Sequence, residues 1–201
     1  MTEVVPRELV GVWQRESLQI NADPCFEDSR VIWLQTPSRY ADIRVSQPGG
    51  NALPEAIGGP LEWNAPALTF HHGLDFSGRH PEDIGFISWD GETLIEEGSV
   101  ALDGVDVDYR ERWIRRTGPN PQCQSLEARD SHDALMAIAL RIDDHAVLIA
   151  KQKKFQASYF MRVNSHWCLQ WCIGEELEHL LPVFGPAETC TRDILSWREV
   201  A

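Results

Sequence analysis

The sequence predicts an all-β protein: an antiparallel up-and-down barrel of about nine or ten strands with a short C-terminal helix, in one domain covering residues 1–201. Three observations carry this prediction. Apolar residues recur at every second position through many short runs, the period of a strand with one buried face. Tight turn signals such as Asp90-Gly91 and Asp143-Asp144 separate those runs, and Asp-Gly tolerates the positive φ angles of a hairpin turn. A chain of 201 residues is also long enough to enclose a sizeable core in a single β domain.

Composition narrows the partners. With 43% hydrophobic and 24% charged residues the chain reads as globular, neither disordered nor fibrous. A formal net charge of -13 repels phosphate backbones and anionic lipid heads, so neither nucleic acid nor a membrane is expected as a partner. The opening Met1-Thr2-Glu3-Val4-Val5-Pro6-Arg7-Glu8 lacks a basic start followed by an apolar run, so no secretory signal is expected. No apolar run is long enough to span a bilayer. Five cysteines, Cys25, Cys123, Cys168, Cys172 and Cys190, make an odd number without an export signal, which predicts reduced thiols in a cytoplasmic compartment.

Regular structure begins at Leu9–Ile20, where Val10, Val12, Leu18 and Ile20 share one parity and Leu9, Gly11 and Trp13 the other. The Gly11-Val12-Trp13 motif resembles the Gly-x-Trp of the first strand of lipocalin-like (calycin) barrels. The echoes Trp33-Leu34-Gln35-Thr36 and Tyr40-Ala41-Asp42-Ile43-Arg44-Val45 resemble uncharacterised bacterial members of that superfamily. The resemblance implies that Trp13 closes one end of a barrel beneath a basic side chain from a late strand. Trp113-Ile114-Arg115-Arg116 is the stretch placed to supply it.

Further along, Arg30 to Val45 reads as a hairpin turning at Pro37-Ser38. Its second arm sets Ala41, Ile43 and Val45 against Tyr40, Asp42 and Arg44. That trio either faces water, as one face of an antiparallel sheet commonly does, or lies inside, with Arg44 anchoring a ligand carboxylate and Asp42 orienting it. Gln47 to Pro60, rich in breakers, reads as a loop, a candidate flap over a barrel mouth. Leu68 to Phe76 alternates as a strand. Ile84 to Trp89, Glu92 to Ser99 and Val105 to Arg116 form a meander. Thr117 to Asp133 is polar and turn-rich and reads as a long loop. Ala134 to Ile142 is a strand or a short helix, paired through Asp143-Asp144 with His145 to Lys151. Lys151 to Lys154 is a basic turn. Phe155 to Val163 and His166 to Ile173 are strands, Glu175 to Leu181 is a short helix before Pro182, and Asp193 to Val200 is a strand or a helix.

The candidate site rests on parity. Pointing the apolar faces inward gathers Trp33, Phe70, His72, Tyr109, Glu111, Trp113 and Tyr159, an aromatic lining with a few polar groups that suits a small-molecule pocket; Arg44 joins them if its trio faces inward. Glu111 stands out, a carboxylate in the apolar series of its strand between Tyr109 and Trp113. It is either paired with an arginine or a tyrosine in a filled interior, or it acts with His72 as base and acid. His72 alone reads first as a neutral, hydrogen-bonded core residue and second as a pocket residue. His166, Cys168 and Cys172 share a parity, but their spacing matches no familiar zinc pattern, and packing beside Trp167 and Trp171 is the simpler reading. No metal or cofactor is therefore expected, and no phosphate loop or nucleophile elbow is present. The sequence favours binding of a small apolar or amphipathic molecule, with an acidic group of the ligand met by Arg44 or Arg112. A lyase, isomerase or hydratase using Glu111 and His72 is the alternative. A protein-interaction module without a ligand is a third, and homo-oligomerisation is left open.

Overall fold

The computed structural model describes residues 4–78, 82–102, 104–151, 154–174 and 197–200. A single 3-10 turn, Arg7–Leu9, leads into the first of nine consecutive strands. These are β1 (Gly11–Ile20), β2 (Ser29–Gln35), β3 (Arg39–Ser46), β4 (Glu55–Asn64), β5 (Ala67–His71), the short β6 (Leu74–Asp75), β7 (Glu82–Asp90), β8 (Thr93–Leu102) and β9 (Val105–Arg115). All pairings are antiparallel. Eight of the strands form a ring in chain order, β5 passing directly to β7, with β9 returning to β1; β6 lies outside the ring as a second partner of β4. The barrel therefore closes with eight strands, fewer than the nine or ten the turn count suggested.

The remaining strands form a second, six-stranded antiparallel sheet. It contains β10 (Cys123–Arg129), β11 (Leu135–Ile142), β12 (His145–Lys151), β13 (Phe155–Val163), β14 (His166–Ile173) and β15 (Trp197–Glu199). One face of this sheet, including Ile138, Leu140, Val147, Ile149 and Tyr159, packs on Val12, Ile32, Leu34, Ala41, Ile43 and Ala56 from the outside of the barrel. Strands β2 and β3 are consequently buried on both sides, which is why Val31-Ile32-Trp33-Leu34 is apolar at every position. Their inward residues, among them Trp33 and Tyr40, join Trp13, Phe70, Leu94 and Trp113 in the barrel core.

Polar struts tie the two sheets together. The fully buried Glu127 of β10 accepts from Arg39 of β3 at 2.5 Å and from Arg129 at 3.1 Å, with Arg198 at 3.5 Å. Burial pushes its carboxyl upward, but the hydrogen bonds and charges of Arg39 and Arg129 outweigh that and hold it below the ordinary carboxylate value. Ser125 donates to the Thr36 hydroxyl at 3.0 Å across the same junction.

Several expected elements differ. Gln47 to Pro60 is not all loop, because β4 begins at Glu55 and runs through Gly58-Gly59-Pro60. A Cβ on Gly59 would meet the His71 carbonyl oxygen at 2.2 Å, and one on Gly58 the Ile138 and Ile149 side chains at 3.2 Å, so the breakers mark close approach. Thr117 to Asp133 contains β10. Leu68 to Phe76 divides into β5 and β6 around His72-Gly73, and Leu135–Ile142 is a strand. Glu175 to Leu181, Cys190 and the first part of Asp193 to Val200 fall outside the described residues; Trp197–Glu199 is a strand. Among the described residues no helix is long and apolar enough to cross a membrane.

Two local features set the barrel interior. The first is a bulge in β1 between Arg15 and Ser17, facing Trp113 and Arg112. One extra residue reverses the parity, so Trp13 and Arg15 face inward before it and Leu18 and Ile20 after it. The second is the closed end. Trp13 is fully buried, its indole N–H donates to the Leu9 carbonyl at 2.9 Å, and the Arg115 guanidinium lies 4.3 Å over its ring. Arg115 also donates to the carbonyls of Val10 and Glu8. It passes where a side chain on Gly11 would be, 2.5 Å from a Cβ built there. The basic cover expected from the late strand is Arg115.

Candidate functional site

A cavity of about 270 Å³ occupies the barrel beyond this closed end. Its floor is aromatic: Trp33 meets Phe70 and Trp113 edge-on at 5.5 and 5.3 Å between ring centroids, and Tyr40 meets Phe70 at 4.9 Å. Edge-to-face packing of this kind fixes ring positions and leaves a rigid apolar base. Ile20, Ser77, Val100 and Ala101 line the other, more exposed part.

Between floor and rim lies a band of charge. Asp42 and Arg44 of β3 face inward, not toward water, and Arg44 donates to Asp42 at 2.8 Å. Its guanidinium also stands 3.9 Å from Glu111 and 4.0 Å from Glu55. Glu111 is held more tightly by Arg15, at 2.5 Å, and Arg15 reaches on to Glu27 at 2.7 Å. Burial opposes the charge on Arg15, but Glu111 and Glu27 outweigh it and raise its pKa. For Asp42 burial prevails over the pull of Arg44 and moves the carboxyl upward. Burial likewise opposes the charge on Arg44, and Asp42 and Glu111 then raise it well above the ordinary arginine value. Of the two orientations open to Arg44 the inward one is found, with its guanidinium shared among Asp42, Glu111 and Glu55. Arg112 lies on the outer face, paired with Glu16 and Asp90.

Glu96 of β8 sits directly across from Glu111 of β9 and accepts the Tyr109 hydroxyl at 3.2 Å. Burial, then the neighbouring Glu111, push its carboxyl up to about 8 from an ordinary 4.5. A carboxyl whose folded value exceeds its unfolded value favours the fold only while protonated. Stability therefore falls as pH rises from the ordinary carboxylate range toward about 8 and the deficit is complete above that. Glu96→Gln removes this decline. Denaturant titrations are expected to show the variant close to the parent at about pH 4 and progressively more stable toward about pH 9, by on the order of 1–3 kcal/mol. Parallel pH profiles for the two proteins would refute the role given to Glu96.

His72, in the break between β5 and β6, has an almost fully buried side chain. It stands 3.2 Å from Asp83 and 3.7 Å from Asp75.

Of the seven residues placed by parity in one interior, six line this cavity, Trp33, Phe70, His72, Tyr109, Glu111 and Trp113, and Arg44, whose trio could face either way, lines it as well. Tyr159 does not. It belongs to β13 of the second sheet, where its hydroxyl meets His145 Nδ1 at 2.7 Å and its ring packs on Trp171. Alternation assigned it correctly to an interior, but to the seam between the sheets and not to the barrel. Parity reasoning missed Arg15, Glu27, Glu55, Asp75, Asp83 and Glu96. For Glu96 a signal existed, since it shares a parity with the buried Leu94 and with Gly98. His166, Cys168 and Cys172 do share a face of β14, but it is exposed, not the packed position expected beside the tryptophans.

The overall architecture recurs in a solved structure, the crystal structure of the uncharacterized protein YLR301w from Saccharomyces cerevisiae. The TM-score is 0.72 at 16% sequence identity, with 94% of this chain and 97% of that chain covered. At that identity the likeness extends to the fold alone. It is a yeast protein, so the expected bacterial membership gains no support. No curated protein matches the sequence. Residues 11–193, from the first residue of β1 to beyond the end of β14, match the family model described as Protein HRI1, and the chain therefore belongs to the HRI1 family.

Proposed function

We propose that this protein binds a small, largely apolar molecule inside its barrel. The observation that carries the reading is the cavity itself, about 270 Å³ of space between an aromatic floor and a polar band. A folded protein fills most of its interior. A cavity near the low end of the range for ligand sites, with an aromatic floor for an apolar body and polar groups above it to orient that body, has the form of a binding pocket. The Gly11-x-Trp13 start of β1 beneath Arg115 and the up-and-down ring support reading the barrel as calycin-like. The exposed thiols of Cys25, Cys123, Cys168 and Cys172 support a reducing, cytoplasmic setting.

The catalytic alternative has less support. Glu111 is committed to two guanidiniums, while His72 faces Asp83 and Asp75.

The test is titration with the neutral fluorophore N-phenyl-1-naphthylamine. Saturable, blue-shifted emission with one site per chain is expected. Val100→Trp, which fills the cavity from its lining, is expected to weaken binding by about tenfold or more while leaving the circular dichroism spectrum unchanged. Binding that is unsaturable, or that is indifferent to Val100→Trp, would overturn the proposal.

A further inference from the structure

We infer that the molecule held in the barrel carries a protonated amine on an apolar body, with its ammonium seated between Glu96 and the hydroxyl of Tyr109. This deepens the binding reading above and rests on it.

Charge facing the cavity is one-sided. Asp42, Glu55, Asp75, Asp83, Glu96 and Glu111 line it, against Arg44 and His72. The arginines have little left to offer an anion, because Arg44 is shared among Asp42, Glu111 and Glu55 and Arg15 is spent on Glu111 and Glu27. An anionic ligand would enter a field of its own sign.

Within this field Glu96 is the exception. It is only 6% exposed, its side chain meets the Tyr109 hydroxyl, and among the described residues no cation lies within ion-pair distance of it. A buried carboxyl in that position is costly unless something compensates it. Yet the sequence makes room for it. A Cβ on Gly85 of β7 would lie 2.6 Å from Glu96 Oε1, and a Cβ on Gly98 of β8 would lie 2.5 Å from the Tyr109 hydroxyl oxygen. Two strands thus give up side chains to seat one carboxyl and one phenol against the cavity. Trp33, Phe70 and Trp113 provide the apolar wall for the body of such a ligand, and aromatic faces attract ammonium groups.

The groups around Glu96 explain what binding does. Glu111 and Asp42 disfavour its ionisation, Arg44 and the Tyr109 hydrogen bond favour it, and burial outweighs both, so the carboxyl keeps its proton in the empty barrel. An arriving ammonium supplies the missing cation. Glu96 then ionises and its proton passes to the buffer, at most one for each amine bound.

The experiment compares three ligands of one chain length, hexylamine, hexanol and hexanoate, by isothermal titration calorimetry at about pH 7. It is run in phosphate and in HEPES, whose ionisation heats differ. Hexylamine is expected to bind about tenfold or more tighter than hexanol, with hexanoate weakest, and its heat is expected to differ between buffers as proton release requires. Glu96→Gln is expected to bring the affinity for hexylamine down to that for hexanol. Should that variant fail to fold, Tyr109→Phe, which keeps the ring, is expected to lower the same ratio. If hexanol binds and hexylamine binds no tighter, or if hexanoate binds best, the amine inference fails and the binding reading stands. If hexylamine is preferred but neither variant alters the preference, the assignment to Glu96 and Tyr109 fails. If neither hexanol nor N-phenyl-1-naphthylamine saturates, both readings fall together.

Discussion

Arg15→Met is expected to lower the unfolding free energy by about 3–5 kcal/mol, the cost of leaving buried charge without its partner. Arg15 is 5% exposed and Glu111 4% exposed, so water cannot replace the lost guanidinium. The variant leaves Glu111, beside Glu96, with only the more distant Arg44 guanidinium at 3.9 Å, and strips Glu27 of both its arginine hydrogen bonds. Urea denaturation followed by tryptophan fluorescence measures the loss. The double variant Arg15→Met/Glu111→Leu is expected to recover at least half of it, since a buried ion pair replaced by apolar groups is often close to neutral. A loss in the single variant below about 1 kcal/mol, the size of an exposed pair, would show that this network is not buried in solution.

Trp13→Ala is expected to cost a similar amount, about 3–5 kcal/mol, as a large aromatic deleted from a packed core. Trp13 is completely buried, sits 6.3 Å from Trp33 and 5.8 Å from Trp89 between ring centroids, and donates to Leu9. Its loss removes the roof over which Arg115 is spread, so the 3-10 turn and the end of β9 lose their common support. Arg115→Met provides the control: it keeps the indole and removes the cation, for roughly 0.5–2 kcal/mol. If the two substitutions cost the same, the arginine and not the buried ring closes the barrel.

Strand boundaries were legible wherever burial was one-sided or complete. The meander from β7 to β9 reads directly from alternation and from Asp90-Gly91, with Gly91 at φ 64°. Two strands were hidden for opposite reasons. In β4, Gly58 and Gly59 erase the apolar pattern because neighbouring chains approach too closely for a side chain. In β10, Ser125 and Glu127 look like loop residues, although both are buried, because Thr36 and Arg39, which satisfy them, lie 89 and 88 residues away in the chain. Polar groups that find distant partners cannot be told from solvated ones in a single sequence.

The same limit applies within the barrel. Phe70, Tyr109, Glu111 and Trp113 could be placed because each lies on an unbroken alternation. Arg15 could not: it shares the inward parity of Trp13, but the bulge after it brings Leu18 and Ile20 inward on the other parity, so no single alternation fits the strand. Glu96 next to Glu97 reads as two solvated charges, yet Glu97 does pair on the exposed face with Arg110 while Glu96 points inside. Parity separates inside from outside, but it does not say which interior, and the position of Tyr159 follows from that.

The double burial of β2 and β3 makes the barrel wall uneven. On that side the wall is two sheets thick and is pinned by Glu127 to Arg39. On the far side, the outward residues Ile84 and Phe86 of β7 are exposed, and no second layer backs them among the described residues. A wall braced along one half can widen only along the other. The unbraced half is the β7–β8 side, the same strands whose glycines leave room for Glu96 and Tyr109.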